Sequence, residues 1–369
     1  MIQPATACRR AACALAIPLL VLSGCRREQA APPATTVDGR GIDAQDPAWT
    51  TPLARRIEAL DAASPGELGV YIRHLHSGAE VRHDADRSWY LSSTVKVPVA
   101  IAVLQLADEG VLSLDEELVL QESDFVDGAG DLLWQEPGSR FALHTLLRKS
   151  LRHSDSTATD MLIRRIGVDE LNHRIHDWVG DGFGPLTTIL QVRYDAYGRL
   201  HPGVAKLSNM DLVRLKNADA GNPRLQALAA RLGVQPGVFA FDSIEEGFEA
   251  YYRDGTNAAT LRAFGNMLRR LVEGELLSEE HTALLLGHMR EISTGDHRIR
   301  AGLPDDVAFA QKTGTQVERA CNVGIIAPQQ PARALVVVAC IERFGEIANA
   351  EATLRGLGEA IVESGALQP

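Results

Sequence analysis

Lysine is scarce in this chain: five lysines stand among 37 basic residues, and the rest are arginine. Aromatic residues are few as well, at 5% of the sequence, and no basic stripe interleaves with them. With a formal charge of −11, the chain would repel a polyanion, so nucleic acid is excluded as a partner. No apolar run reaches the roughly 20 residues that a membrane-spanning helix takes. Metal-ligand spacing is missing too. His173 and His176 stand three apart beside Asp177, and His74 and His76 share a strand face, but neither pair has a third ligand at motif spacing. Surface or core histidines are expected there, with no metal and no cofactor.

What is present is the composition of an ordinary globular protein, 45% hydrophobic and 23% charged, in 369 residues that can bury a large core. The first 25 residues read as a targeting segment. Arg9 and Arg10 form a charged n-region, residues 11–22 are apolar, and Leu22-Ser23-Gly24-Cys25 follows. That run resembles the lipobox of bacterial lipoproteins, in which the chain is cut before the cysteine and the thiol carries a diacylglycerol. The expectation is an exported protein with signal peptide 1–24, lipidated at Cys25 and tethered by residues 25–48 to the periplasmic side of a bacterial membrane. Arg26 offers no inner-membrane retention signal of the Asp kind, which favours the outer membrane. A plain secretory signal with an incidental Cys25 is the alternative. Cys8 and Cys13 leave with the signal, so Cys321 and Cys340 remain. Folding their two apolar runs as a hairpin about residues 330 and 331 sets these cysteines face to face, either as a cross-strand disulfide or as two buried thiols.

Along the chain, Leu53, Ile57 and Leu60 at helical spacing predict a helix from Pro52. Residues 68–75 and 80–83 flank His76-Ser77-Gly78 as a β-hairpin. A helix opens near Ser93 and stops at Glu109-Gly110. Residues 112–271 carry mostly helical patterns, one of them opening at Ser154-Asp155-Ser156 and closing at Gly167. Residues 181–203 contain Gly, Pro and Tyr without periodicity and read as a long loop. A helix over Glu279–Arg290 precedes strands at 307–311, 321–327 and 334–341 and a last helix near 348–363. The expected class is α/β (α+β). An antiparallel sheet built from 49–111 and 278–366 is flanked by helices, and an all-helical subdomain, 112–277, is inserted into the single catalytic domain 49–366.

Three short motifs occur in order: Ser93-Thr94-Val95-Lys96, Ser154-Asp155-Ser156 and Lys312-Thr313-Gly314-Thr315. Ser93 and Lys96, three apart at a helix start, share one face of the first turn, where free backbone N–H groups can face an oxyanion. A guanidinium is effectively always protonated, whereas an amine loses its proton when desolvated or placed beside positive charge. A base beside Ser93 must therefore be lysine, in a chain that otherwise prefers arginine. Lys312, at a strand end, supplies charge that holds Lys96 neutral and attracts a substrate carboxylate. Gly314 admits a substrate backbone, and Ser154 can relay a proton to a leaving nitrogen. Taken singly, each motif is also a plain helix cap or turn; their joint strand–helix–strand placement argues for acyl transfer.

These motifs resemble those of the penicillin-recognising serine hydrolases, and the likeness to class A β-lactamases covers residues 52–200 and 257–366. It includes the run from His153 to Leu162, Leu271-Val272-Glu273-Gly274-Glu275-Leu276-Leu277, and the run from Thr294 to Pro304 ahead of the Lys-Thr-Gly strand. The resemblance implies a β-lactamase/transpeptidase-like fold with Ser93 as acylated nucleophile and Lys96 as its partner. The N–H groups of Ser93 and Thr315 would form the oxyanion hole, and Lys312, Thr313 and Thr315 would hold the substrate carboxylate. Asn322 or Val323 occupies the place where many members carry a carboxylate-steering arginine, and Arg300 is the expected substitute.

The chain also departs from the class A pattern. The deacylating glutamate, in a Glu-x-x-Leu-Asn loop after an Arg-aromatic pair, is matched by Arg193-Tyr194-Asp195 without the Leu-Asn. Asp195 is either a shortened deacylation base or a loop residue. Ser156 replaces the usual Asn of the second motif and removes an amide donor to the substrate. Residues 205–256 form an insertion without a counterpart, in which Phe241, Phe248, Tyr251 and Tyr252 either cover the cleft or pack on the helical subdomain. The leading expectation is a monomeric serine hydrolase that opens the β-lactam amide through a Ser93 acyl-enzyme. Alternatives are a D,D-peptidase-like penicillin-binding enzyme acting on cell-wall peptides with slow deacylation, and a non-catalytic ligand-sensing lipoprotein.

Overall fold

The computed structural model describes residues 47–368. The signal segment, Cys25 and nearly all of the tether lie outside the described residues. Five antiparallel strands form the main sheet: β1 (Glu67–His74), β2 (Glu80–His83), β3 (Phe309–Gln316), β4 (Arg319–Ile326) and β5 (Leu335–Glu342), in the spatial order β2-β1-β5-β4-β3. The β1–β5 pairing joins the two ends of the chain, with Val70 opposite Ala339 and Ile72 opposite Val337.

Alternation along β5 explains why both faces of this sheet are covered. Leu335, Val337, Ala339 and Ile341 point to a core shared with the helices Thr50–Ala63 and Ile347–Ser364, through Leu53, Ile57, Leu354, Leu357 and Ile361. Val336, Val338 and Cys340 point the other way, into a core with the helices Lys96–Asp108 and Leu261–Val272. A strand apolar at every position has to be buried on both sides. The same logic applies to the Lys96–Asp108 helix, in which every residue from Val97 to Leu104 is buried; a helix apolar all round belongs at a centre. Cys321 and Cys340 are directly opposed across β4 and β5 and are disulfide-bonded, 19 residues apart in sequence.

One expectation is corrected here. Residues 181–203 are not a structureless loop, because Ile189–Leu200 is a helix capped by the Thr188 hydroxyl, which accepts from the Gln191 N–H at 3.0 Å. Its buried positions Ile189, Val192, Ala196, Tyr197 and Leu200 keep helical spacing that Gly198 and two tyrosines disguise. The insertion 205–256 is also folded. It forms the helices Asn209–Leu215, Asn222–Leu232 and Ile244–Tyr252, which gather Leu212, Leu228, Phe248 and Tyr251 around Ile189–Leu200 in a third core. Phe248 meets the Tyr197 ring edge-on at 5.4 Å between centroids, so it packs on the helical side and also lines the cleft described below.

Candidate active site

Ser93 sits in a tight turn, the 3₁₀ segment Ser92–Val95, which runs straight into Lys96–Asp108. Three residues make one full 3₁₀ turn, so side chains at i and i+3 eclipse. The Lys96 amine accordingly lies 3.3 Å from the Ser93 hydroxyl. Ser92 and Ser154 both adopt positive φ, 49° and 55°, an uncommon backbone state for residues other than glycine that clusters at functional sites. Gly314 of β3 passes so close to this turn that an added Cβ would lie 2.9 Å from the Ser93 nitrogen and 2.6 Å from the Leu91 carbonyl oxygen. Only glycine lets β3 bring the Thr315 end of the strand against the Ser93 backbone.

The second motif reaches the same point from the Ser156–Ile166 helix. Its cap, Asp155, accepts from the Ala158 N–H at 2.8 Å, while its other oxygen accepts from the N–H groups of Asp131 and Leu132. One carboxylate therefore fixes the helix start and the loop at the cleft edge. Ser154 receives both lysines, with Lys96 Nζ at 3.1 Å and Lys312 Nζ at 3.0 Å from its Oγ. Lys96 also donates to the Ser154 carbonyl and approaches Ser156 Oγ at 3.4 Å. Ser156 thus presents a hydroxyl toward Lys96 where an amide is usual.

Both amines are fully buried. Burial is the main force that lowers Lys96 to a pKa of about 7; the carboxylates of Asp155 and Asp160 oppose it, and the charges of Arg193 and Lys216 add to it. Lys312 is driven well below its usual range by burial first and then by the charges of Lys96 and Arg298. Asp160 had no role in the sequence reading. It is buried, its pKa is raised to about 7 by desolvation, and it accepts from the N–H groups of Ile189 at 2.7 Å and Leu190 at 2.8 Å. A lone aspartate ahead of the apolar Met161-Leu162-Ile163 was the signal available for it.

Ser93, Ser154 and Ser156 line one cavity of about 580 Å³ together with Arg298, Thr313 and Thr315, and the two lysines lie behind its wall. Two sequence expectations fail on geometry. Arg300 does not face the cavity; its guanidinium turns outward to the carbonyls of Leu303, Pro304 and Asp305. Arg298 takes the cleft position, buried, donating to Gly314 O at 3.0 Å, Cys321 O at 2.9 Å and Thr315 Oγ1 at 2.6 Å. In the turn Arg298-Ile299-Arg300 the buried Ile299 divides the two arginines between opposite sides. Asn322 is buried within the sheet against Gln311, and Val323 is in the core. Asp195 likewise sits outside the cleft. It bonds Gln191 at 2.8 Å and lines a separate depression with Tyr194, Gly198 and Arg199. Ile189, Val192 and Arg193 are the residues of its helix that face the Ser93 cavity together with Tyr197. Arg193 is ion-paired with Asp127.

Residues 52–364 match the model of the beta-lactamase enzyme family. The chain belongs to that family. Among curated proteins, this β-lactamase-family chain is similar to a beta-lactamase of Mycobacterium tuberculosis, 26% identical over 310 residues that cover 84% of this chain and 81% of the relative. Among solved structures it resembles an ancestral class A β-lactamase, with a TM-score of 0.63, 23% identity, and coverage of 85% and 99% of the two chains. It also resembles a mutant of PBP-A solved as an acyl-enzyme complex with penicillin G, with a TM-score of 0.62, 22% identity, and coverage of 85% and 96%. The chain is a serine β-lactamase-like hydrolase on the class A β-lactamase fold.

Proposed function

We propose that Ser93 is acylated by a carboxylate-bearing amide, a β-lactam or a cell-wall peptide, and that release of the acyl group is the slow step. The observation that carries this reading is the hydroxyl of Ser154 shared by two buried amines, one of which, Lys96, is also within hydrogen-bond reach of Ser93. Neutral Lys96 takes the Ser93 proton as Oγ attacks the carbonyl carbon. A hydroxyl carries two lone pairs and one proton. With both lone pairs of Ser154 directed at lysines, its proton is left for the nitrogen that departs as the C–N bond breaks, and Lys96 replaces it. The N–H groups of Ser93 and Thr315 stabilise the oxyanion. Lys312, Thr313, Thr315 and Arg298 receive the carboxylate on the leaving side.

Slow release is supported by the carboxylates available. Among the described residues, those lining the cavity are Asp127, paired with Arg193, and Glu351, 3.9 Å from Arg298. With Asp195 turned away, no carboxylate among the described residues is hydrogen-bonded to Ser93 or Lys96, where it could activate water on the ester. The same balance of fast acylation and slow release favours a D,D-peptidase-like activity over rapid antibiotic turnover, and the PBP-A mutant caught as a penicillin acyl-enzyme is a precedent for a stable ester on this fold. Two buried amines poised around one hydroxyl weigh against a purely non-catalytic binding role. The test is acylation by benzylpenicillin followed by intact mass. A persistent adduct on Ser93 is expected, and rapid turnover without an accumulated adduct would refute slow release. Export with lipidation at Cys25 is part of the proposal. The Cys321–Cys340 disulfide supports an oxidising compartment, and labelling with a fatty-acid analogue that persists in Cys25→Ala would overturn the anchor.

A further inference from the structure

The cleft has a second cationic end, built largely by the inserted segment. Besides Arg298, the cavity is lined by Arg193, Lys216 and Arg224, against the carboxylates Asp127 and Glu351. That excess sits in a chain whose net charge is −11. Arg193 is neutralised by Asp127. Among the described residues, Lys216 and Arg224 are in no ion pair; Arg224 spends one N–H on the Ala218 carbonyl at 3.0 Å, and its Nε is buried without a partner. Both belong to the insertion 205–256 and line the cavity together with Tyr197 and Phe248.

The two cationic ends are held by different elements. Arg298 donates to the Gly314 carbonyl and to Thr315 Oγ1 of β3, whereas Lys216 and Arg224 belong to the insertion packed on the Ile189–Leu200 helix. The chemistry of the reaction gives each end a substrate half. A β-lactam or terminal peptide carries its carboxylate on the nitrogen side of the scissile amide, which Lys312, Thr313, Thr315 and Arg298 receive. The acyl side, which stays on Ser93 after the C–N bond breaks, must extend toward the opposite end. We infer that Lys216 and Arg224 form an anion subsite for the acyl half of the substrate, so the enzyme prefers amides whose acyl side chain bears a second carboxylate. A cavity with two unpaired cations is an electrostatic well for such a group, and it stays partly wet, so each charge is worth about fivefold.

This inference rests on acylation at Ser93 as proposed above. The test compares second-order acylation constants for benzylpenicillin and its α-carboxy and α-amino derivatives, which place −1, 0 or +1 charge at one position of the acyl group. In the wild-type protein the α-carboxy derivative should exceed the α-amino derivative by about tenfold or more at low ionic strength, and salt should shrink the ratio. Lys216→Gln/Arg224→Gln should bring the ratio close to the intrinsic reactivity ratio of the two compounds. Lys216→Glu should invert the preference, a change that mere loss of folding cannot produce. An α-carboxy to α-amino ratio that is the same in the wild type and in both charge variants overturns the subsite while leaving Ser93 acylation intact. Failure of all three penicillins to acylate Ser93 overturns the proposed function and this subsite with it.

Discussion

Replacing Lys96 by arginine keeps a cation three residues after Ser93 and changes only whether that cation can give up its proton. The structure sets the size of the effect. With its pKa lowered to about 7 by burial, Lys96 is about half neutral near neutral pH, while a guanidinium in the same place stays protonated at any usable pH. General-base assistance of this kind contributes about 10²–10⁴-fold, so acylation of Lys96→Arg by benzylpenicillin should fall by at least about 10²-fold. The carboxylate grip proposed for Lys312, Thr313 and Arg298 is untouched by this change, so the loss should appear in the chemical step rather than in binding. Rapid-mix intact-mass kinetics resolves the two. The wild-type pH profile carries the same information. Because burial lowers the Lys96 pKa and protonation silences the base, acylation should rise about tenfold per pH unit up to about pH 7 and then level off. A Lys96→Arg protein that acylates within tenfold of wild type, or a wild-type rate flat across pH 7, would show that the base is elsewhere.

Other outcomes follow from particular contacts. Asp195→Asn should leave both acylation and release within about twofold of wild type, since the side chain bonds Gln191 outside the cleft; a release rate that drops tenfold would restore Asp195 as the deacylation base. Arg298→Gln should weaken benzylpenicillin acylation by about tenfold or more through the lost charge at Thr315, whereas Arg300→Gln should leave it nearly unchanged; the reverse order would return Arg300 to the site. Cys321→Ala/Cys340→Ala opens a link between positions 19 apart and should cost about 3 kcal/mol in denaturant titration. An unchanged unfolding midpoint would mean that the bond does not form in solution.

The parts of the site that were legible in the sequence are those set by local chemistry. Ser93 and Lys96 are joined by one turn of helix, and lysine in an arginine-rich chain marks a group that has to lose a proton. Ser154 and Lys312 announce themselves by motif, and the opposed cysteines by the symmetry of a hairpin. What was not legible depends on longer-range packing. The Ile189–Leu200 helix carries its apolar stripe among residues that discourage a helix reading, and the helices of the insertion stabilise it from outside. That helix then turns Arg193 inward and Asp195 outward, because residues two positions apart on a helix point roughly 200° from each other. Arg298 and Arg300 flank one buried isoleucine, and only the turn geometry around Ile299 decides which guanidinium enters the cleft. Asp160 organises the start of that helix through two backbone N–H groups, a role no motif records. Arg224 and Lys216 gain meaning only once the folded insertion is seen to bring them to the cavity wall.

Intact-mass kinetics with benzylpenicillin on the wild type and on Ser93→Ala tests the central claim most directly. One adduct of the full mass of the penicillin is expected, mapped to the peptide that contains Ser93, formed quickly, released slowly and absent from Ser93→Ala. Neither adduct nor turnover in the wild type, or an adduct that survives in Ser93→Ala, would contradict it.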